Sequence, residues 1–189
     1  MTEHSHDRNF GSSIVYEDRL HLKVEPYSSE PESGEVLRNG LQNEEILRMV
    51  MSLDEVMPSE KSDDRDSEIQ RLEFKMNLML DMLGEIYSKN VDFPELFPVK
   101  LGASVVSWMI GDEDFVPELE SYVALHVYLN RRYPRSIVLF ARVVQFNDCE
   151  SGEKWVTAEL LPMPMQTQDC LERFVFRQHR RFVAFSRQK

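Results

Sequence analysis

Residues 69–86 read IQRLEFKMNLMLDMLGEI, and large apolar side chains recur in this stretch at alternating steps of three and four residues. The stripe they form consists of Ile69, Leu72, Met76, Met79, Leu83 and Ile86. A seven-residue repeat keeps one side of a helix turned towards a partner helix along its whole length. The sequence therefore predicts a helix over 67–89 that associates with copies of itself.

The width of this apolar stripe indicates how many helices associate in the coiled coil. Leu80 and Met82 make the flanking positions partly apolar, whereas a two-stranded coiled coil keeps those positions charged. We therefore expect a trimer or tetramer rather than a dimer. The alternative is an ordinary buried helix within a self-contained monomer, because such helices show similar spacing.

Segments with strand-like alternation lie on both sides of the helical region. In residues 14–25, Leu20, Leu22 and Val24 alternate with polar neighbours, which is typical of a half-buried strand. Further strands are predicted after the helical region, at 99–110, 122–129, 136–146 and 155–161. Polar, turn-like segments separate them, as in antiparallel hairpins. The pattern favours an α+β protein built on a small antiparallel barrel or sandwich.

Two further helices complete the predicted architecture. One helix spans about 40–57 and follows a loop at 26–34 that is rich in Pro, Ser and Gly. The apolar face of this helix could pack on the outside of the helical bundle. The last helix spans 167–185. Because a lone strand would leave its edges unpaired, the first strand must pair with the later ones.

This pairing makes the helices at 40–90 an insertion into a β domain. We predict a flexible start at 1–13 and one domain over 14–189. Within that domain, barrel strands occupy 14–26 and 95–165.

Charge and composition exclude several classes of function. The net charge is −11, and residues 1–66 carry 16 acids against 7 bases, which argues against nucleic acid as the main partner. A run of about 18 apolar residues is absent, so we expect no membrane span. The N-terminal residues lack the apolar core of a secretory signal, and two cysteines give no disulfide framework. These features together favour the cytoplasm.

Motifs for catalysis, cofactors or metals are lacking in the sequence. There is no glycine-rich phosphate loop, HExxH, CxxC or GxSxG, and the five histidines form no cluster. We therefore predict no enzymatic activity, no cofactor and no metal site. The basic turn with Arg131, Arg132 and Arg135 is either a solvated hairpin turn or, alternatively, a phosphate clamp, because arginine forks match phosphate geometry.

Four segments together resemble a known group of proteins. They are IVYEDRLHLKVEP (14–26), RLEFKMNLMLDMLGEIY (71–87), FPVKLGASVVSWMI (97–110) and LERFVFRQHRRF (171–182). In order and spacing the chain resembles the atypical, tetramer-forming PilZ-like proteins of proteobacteria. The resemblance implies a PilZ-like β-barrel interrupted by two long helices, the second of which forms a parallel four-stranded coiled coil. It also implies a setting in cyclic di-GMP-linked control of motility, surface behaviour or virulence.

Standard PilZ domains bind cyclic di-GMP with an RxxxR motif near the start of the barrel, which this chain does not complete. Arg8 is followed four residues later by Ser12, and Arg19 by Lys23. The same spacing recurs far downstream, inside the basic turn, which is the wrong strand connection. The arginine fork that would hold the phosphates is therefore missing from its usual place.

The second motif of such receptors, (D/N)xSxxG, is also altered. Aligning LGASVV (101–106) with it places Lys100 at the acid position, Gly102 at the serine and Val105 at the glycine. We therefore expect little or no direct binding of cyclic di-GMP and an adaptor role towards an unidentified protein partner. The alternative is a direct receptor whose site is built from the arginines of the basic turn.

Overall fold

The computed structural model describes residues 14–53, 64–90, 93–110, 115–130, 133–148 and 154–186. The predicted flexible start at 1–13 lies outside these residues. The elements, in chain order, are β1 (Tyr16–Tyr27), α1 (Ser33–Leu53), α2 (Asp64–Asn90), β2 (Leu96–Leu101), β3 (Val105–Ile110), β4 (Tyr122–Tyr128), β5 (Ile137–Asp148), β6 (Lys154–Leu160) and α3 (Met165–Ser186). The helix predicted at 67–89 is thus three residues longer at its start and one residue longer at its end.

The six strands close into an antiparallel barrel in the order β1-β2-β3-β6-β5-β4. The strand β1 pairs with β2, where Tyr16 lies opposite Leu101, and with β4, where Tyr27 lies opposite Tyr122. This confirms that the first strand pairs with strands that follow the helices. Because the barrel is closed, the described strands have a paired neighbour on both sides along most of their length. The open sheets of a sandwich would instead end in unpaired edge strands.

The prediction of one strand over 99–110 was wrong, because this stretch is the hairpin β2–β3. A short turn at 102–104 reverses the chain, and the Gly102 N–H donates to the Val105 carbonyl at 2.8 Å. Leu101 and Val106 then face each other across the pair, and both are fully buried. The apolar sequence continues on both sides of the turn, so the pattern resembles a single buried strand.

The helix α1 begins seven residues before the predicted start at residue 40, and the loop predicted at 26–34 shrinks to 28–32. The proline, serine and glycine residues at 26–34 predicted a loop, but the helix already begins at Ser33. Within this helix, a close approach of the chain requires glycine at position 40. A Cβ at Gly40 would lie 2.7 Å from Cγ of Pro164 and 3.0 Å from Oγ1 of Thr167. The Thr167 hydroxyl also donates to the Gly40 carbonyl at 3.0 Å. The part of the predicted helix at 54–57 lies outside the described residues.

The apolar face of α1 belongs to the core of the subunit, so placing this helix outside a bundle was wrong. Ile46, Leu47 and Val50 are at most 2% exposed, and the helix packs against α3 and β5. These side chains join the inward-facing residues of the barrel in one apolar cluster. Because removing them from water stabilises the folded subunit, this face is not available to a neighbouring subunit.

A buried polar side chain fixes α1 on the barrel. Pairing between β5 and β6 begins at Ala141 opposite Leu160, so β5 extends past the end of β6. There the Asn43 amide donates to the Val138 carbonyl at 2.7 Å, and its oxygen accepts from the Val138 N–H at 2.8 Å. Asn43 thus satisfies backbone groups that would otherwise be unpaired and buried.

The helix α3 is anchored at the end of the barrel where β1 begins. His179 Nδ1–H donates to the Val15 carbonyl at 3.0 Å, and the amide of Gln168 donates to the Ala103 carbonyl at 2.9 Å. The ring of Phe174 meets Tyr16 edge to face, with 5.6 Å between centroids. The β2–β3 turn and the β4–β5 connection lie at this end, so the β3–β4 and β5–β6 connections lie at the opposite end.

Candidate functional site

The apolar stripe of α2 is exposed along its whole length in the single chain. Its six side chains are between 54% and 62% exposed: Ile69, Leu72, Met76, Met79, Leu83 and Ile86. Among the described elements, none packs extensively against α2. Contiguous apolar patches of this kind on a monomer ordinarily mark an interaction site. The stripe is therefore not part of this subunit's own core.

The apolar surface of α2 also extends beyond the stripe. Leu80 and Met82 flank it and are 43% and 56% exposed. Phe74 and Leu78 lie four residues apart on the opposite side of the helix and are 69% and 50% exposed. We did not single out this second pair from the sequence, although its i, i+4 spacing was a usable signal.

Only part of the basic turn lies within the described residues. Arg131 and Arg132 lie outside the described residues. The Arg135 guanidinium lies with Nη1 3.8 Å from Glu45 Oε2 of α1 and 3.3 Å from the Tyr133 hydroxyl. A guanidinium that already has a carboxylate nearby is a weaker phosphate ligand, because the acid competes for it and repels an anion.

The residues at the positions of the second receptor motif lie across the barrel from the basic turn, beside β1 and α3. Lys100 places Nζ 3.3 Å from Glu17 Oε1 and 5.8 Å from the centre of the Trp155 ring. A cavity of about 430 Å³ next to the β2–β3 turn is lined by Ile14, Ala103, Glu172, Arg173, Val175 and Phe176. It offers one guanidinium beside a carboxylate, in mostly apolar surroundings.

Charged groups on the barrel surface pair both along a strand and between neighbouring strands. Glu25 accepts from Lys23 Nζ at 2.6 Å and lies 3.2 Å from His126 Nε2. The hydrogen bond from Lys23, with the nearby His126, holds the pKa of Glu25 below its ordinary value. Arg142 lies between Glu159 at 3.3 Å and Glu120 at 3.1 Å, and these acids raise its pKa. The shifted pKa values of Glu25 and Arg142 therefore arise from ion pairs on the barrel surface.

In the described part of the chain, the His, Cys, Asp and Glu side chains form no group of three that is suited to a metal ion. None of the described helices combines the length and the apolar composition needed to cross a bilayer. Cys170 is a buried free thiol.

Comparison with protein families gives a match over most of the chain. The model of the atypical PilZ domain, described as a cyclic di-GMP receptor, matches residues 47–188. The match runs from the middle of α1 through α2 and the barrel strands β2–β6 to α3. A search of curated proteins gave no match.

One solved structure shares the fold of this chain over most of its length. A pathogenic protein from Xanthomonas campestris superimposes with a TM-score of 0.72 at 20% identity, covering 93% of each chain. It is described as a tetrameric PilZ domain that self-assembles through an unusual helical bundle. The inhibitor of motility MotI/DgrA from Bacillus subtilis matches 44% of this chain and 41% of its own, with a TM-score of 0.38 at 18% identity.

Proposed function

Because the chain belongs to the atypical PilZ domain family, we propose that it is a non-enzymatic, self-associating adaptor in cyclic di-GMP-linked control of motility or virulence. The observation that carries this proposal is the exposed apolar stripe of α2, from Ile69 to Ile86. The adaptor acts in the cytoplasm and presents its barrel to a protein partner. Assembly, and not catalysis, is the activity that its residues support best.

The proposed assembly is a homotetramer held by a parallel coiled coil of four α2 helices. The flanking Leu80 and Met82 widen the apolar surface beyond what two helices would bury. A tetramer also agrees with the description of the Xanthomonas protein, whose fold this chain shares. Packing of four α2 helices against one another would bury the apolar side chains of the stripe, which are exposed in a single chain.

The proposed adaptor binds cyclic di-GMP weakly or not at all. The cavity beside the second motif offers Arg173 next to Glu172, and Arg135 already lies near Glu45. A charge-assisted hydrogen bond is worth about 1.5–3 kcal/mol. Losing two of them would weaken binding by about two to four orders of magnitude.

Calorimetric titration of cyclic di-GMP into the intact protein tests this part of the proposal. We expect a dissociation constant in the millimolar range, which corresponds to about −4 kcal/mol. We therefore expect no binding heat at protein concentrations of about 50 μM, because this concentration lies far below that constant. Binding at low micromolar concentration or tighter would contradict it.

A second function remains supported by one observation, namely that the family model is described as a cyclic di-GMP receptor. In this alternative the basic turn forms a relocated phosphate site. It requires micromolar binding that disappears when Arg131, Arg132 and Arg135 are all replaced by alanine. The matched control is Arg173→Ala, which removes one guanidinium across the barrel and should leave such binding intact.

A further inference from the structure

The exposed face of α3 combines arginines with an aromatic ring. Arg173, Phe176 and Arg180 follow one another at steps of three and four residues, so they share one side of the helix. Phe176 is 47% exposed, and the Arg180 guanidinium lies 5.8 Å from the centre of its ring. Neither arginine forms an ion pair with another residue of the described ranges. Both guanidinium groups are therefore accessible to a partner.

The same helix borders a mostly apolar cavity of about 430 Å³. Its walls are formed by Ile14, Ala103, Val175 and Phe176, together with the charged Glu172 and Arg173. A cavity of about 150 Å³ accommodates benzene, so this one has room for more than one apolar side chain. From Arg173 to its end at Ser186, α3 contains four arginines and no acid. A partner that fits this face is therefore acidic and carries apolar side chains.

An acidic and apolar segment of this kind lies at the opposite end of the barrel, in the connection between β3 and β4. There Phe115, Val116 and Leu119 are 45%, 55% and 56% exposed. Residues 112–120 contain five acids and no base. Exposed apolar side chains that are grouped in this way often mark an interaction site. The β3–β4 connection thus has both properties that the face of α3 requires.

Contacts with the barrel give the described part of the β3–β4 connection a defined shape. Pro117 is buried, and the Glu120 N–H donates to the Val143 carbonyl at 2.8 Å. The Ser121 hydroxyl donates to the Glu118 carbonyl at 2.6 Å. Because the segment is ordered before it binds, docking it costs less conformational entropy than docking a disordered chain.

We propose that the β3–β4 connection of one copy docks on α3 of a second copy. Its apolar side chains enter the cavity, and the exposed carboxylate of Glu118 faces Arg173 and Arg180. The two surfaces lie at opposite ends of the barrel, so they meet between chains, head to tail. This contact uses neither the stripe of α2 nor cyclic di-GMP. It therefore goes beyond the proposed function, because it links one assembly to the next.

A synthetic peptide with the sequence of residues 112–121, DEDFVPELES, tests this contact on the intact protein. The peptide carries a fluorescent label, and its anisotropy is measured while protein is added at about 0.15 M salt. The Debye length is then about 8 Å, so charges in contact decide binding more than the net charge of the protein does. We expect a dissociation constant of about 100 μM, because an interface of one loop and one helix face is small.

Charge reversal on both sides identifies the surface. Arg173→Glu combined with Arg180→Glu should weaken binding of the peptide about tenfold. The matched control is Arg38→Glu combined with Lys154→Glu, which changes the charge equally at exposed positions of α1 and β6 and should leave binding unchanged. A peptide whose five acids are replaced by lysine should bind the Arg173 and Arg180 variant more tightly than the control variant. Such a gain also shows that the variant is folded.

Equal affinity of the acidic peptide for the unmodified protein and for the Arg173 and Arg180 variant would overturn the proposal. Absence of peptide binding at about 500 μM protein would also overturn it. Vesicles that contain phosphatidylserine are tested alongside the peptide. If the vesicles bind through the same two arginines and the peptide does not, the face of α3 belongs to a membrane surface and not to a second copy.

Discussion

Replacing both Leu72 and Met79 by glutamate is expected to convert the proposed tetramer into folded monomers of 22.2 kDa. In a four-helix coiled coil each substitution would place four carboxylates in one buried layer. Burial of a charge without a partner is strongly unfavourable, and like charges in one layer repel each other. Both side chains are about 60% exposed in the single chain, so the fold of the subunit should not depend on them. Sedimentation equilibrium measures the change in mass.

The double variant Phe74→Glu and Leu78→Glu is the matched control. It adds the same charge to the same helix, but at positions opposite the stripe that are 69% and 50% exposed. This control should keep the mass of the unmodified protein. An unchanged mass for the Leu72 and Met79 variant would reject the stripe as the interface, and dissociation of the control would show that the interface includes the opposite face of α2.

Replacing Phe174 by alanine is expected to lower the free energy of unfolding by about 3–5 kcal/mol, as is typical for truncation of a buried phenylalanine. Phe174 is fully buried on α3 and packs edge to face against Tyr16. The substitution would leave a cavity at the place where α3 meets the start of β1. Chemical denaturation at one fixed protein concentration measures the loss, because association itself stabilises the folded chain.

Phe176 provides the control for this change, since it lies two residues further along the same helix. It is 47% exposed, so Phe176→Ala should change stability by less than about 1 kcal/mol. Equal effects of the two substitutions would contradict the packing of α3 described above. A loss at Phe174 below about 1 kcal/mol would mean that α3 does not belong to the core.

The elements that the sequence predicted well are those with a strict local period. The seven-residue repeat from Ile69 to Ile86 predicted α2 almost to its ends, and α2 makes little contact with the described rest of the subunit. Alternation over 122–129 likewise predicted β4, which spans Tyr122–Tyr128. In both cases the pattern is set by one surface that is apolar along the whole element.

The features that the sequence did not predict depend on residues far apart in the chain. Helix α1 contains Gly40 because Pro164 and Thr167 pass close to it, and this contact is invisible in a local pattern. The turn at Gly102 was hidden by buried residues on both sides. The Asn43–Val138 hydrogen bonds arise from packing of α1 against the barrel. Local propensity cannot reveal such contacts.

The most direct test of self-assembly is the mass of the unmodified protein in solution, measured by sedimentation equilibrium over a range of concentrations. For the proposed tetramer we expect four times the chain mass of 22.2 kDa. A mass equal to one chain at all concentrations would contradict it and would make the protein a self-contained monomer.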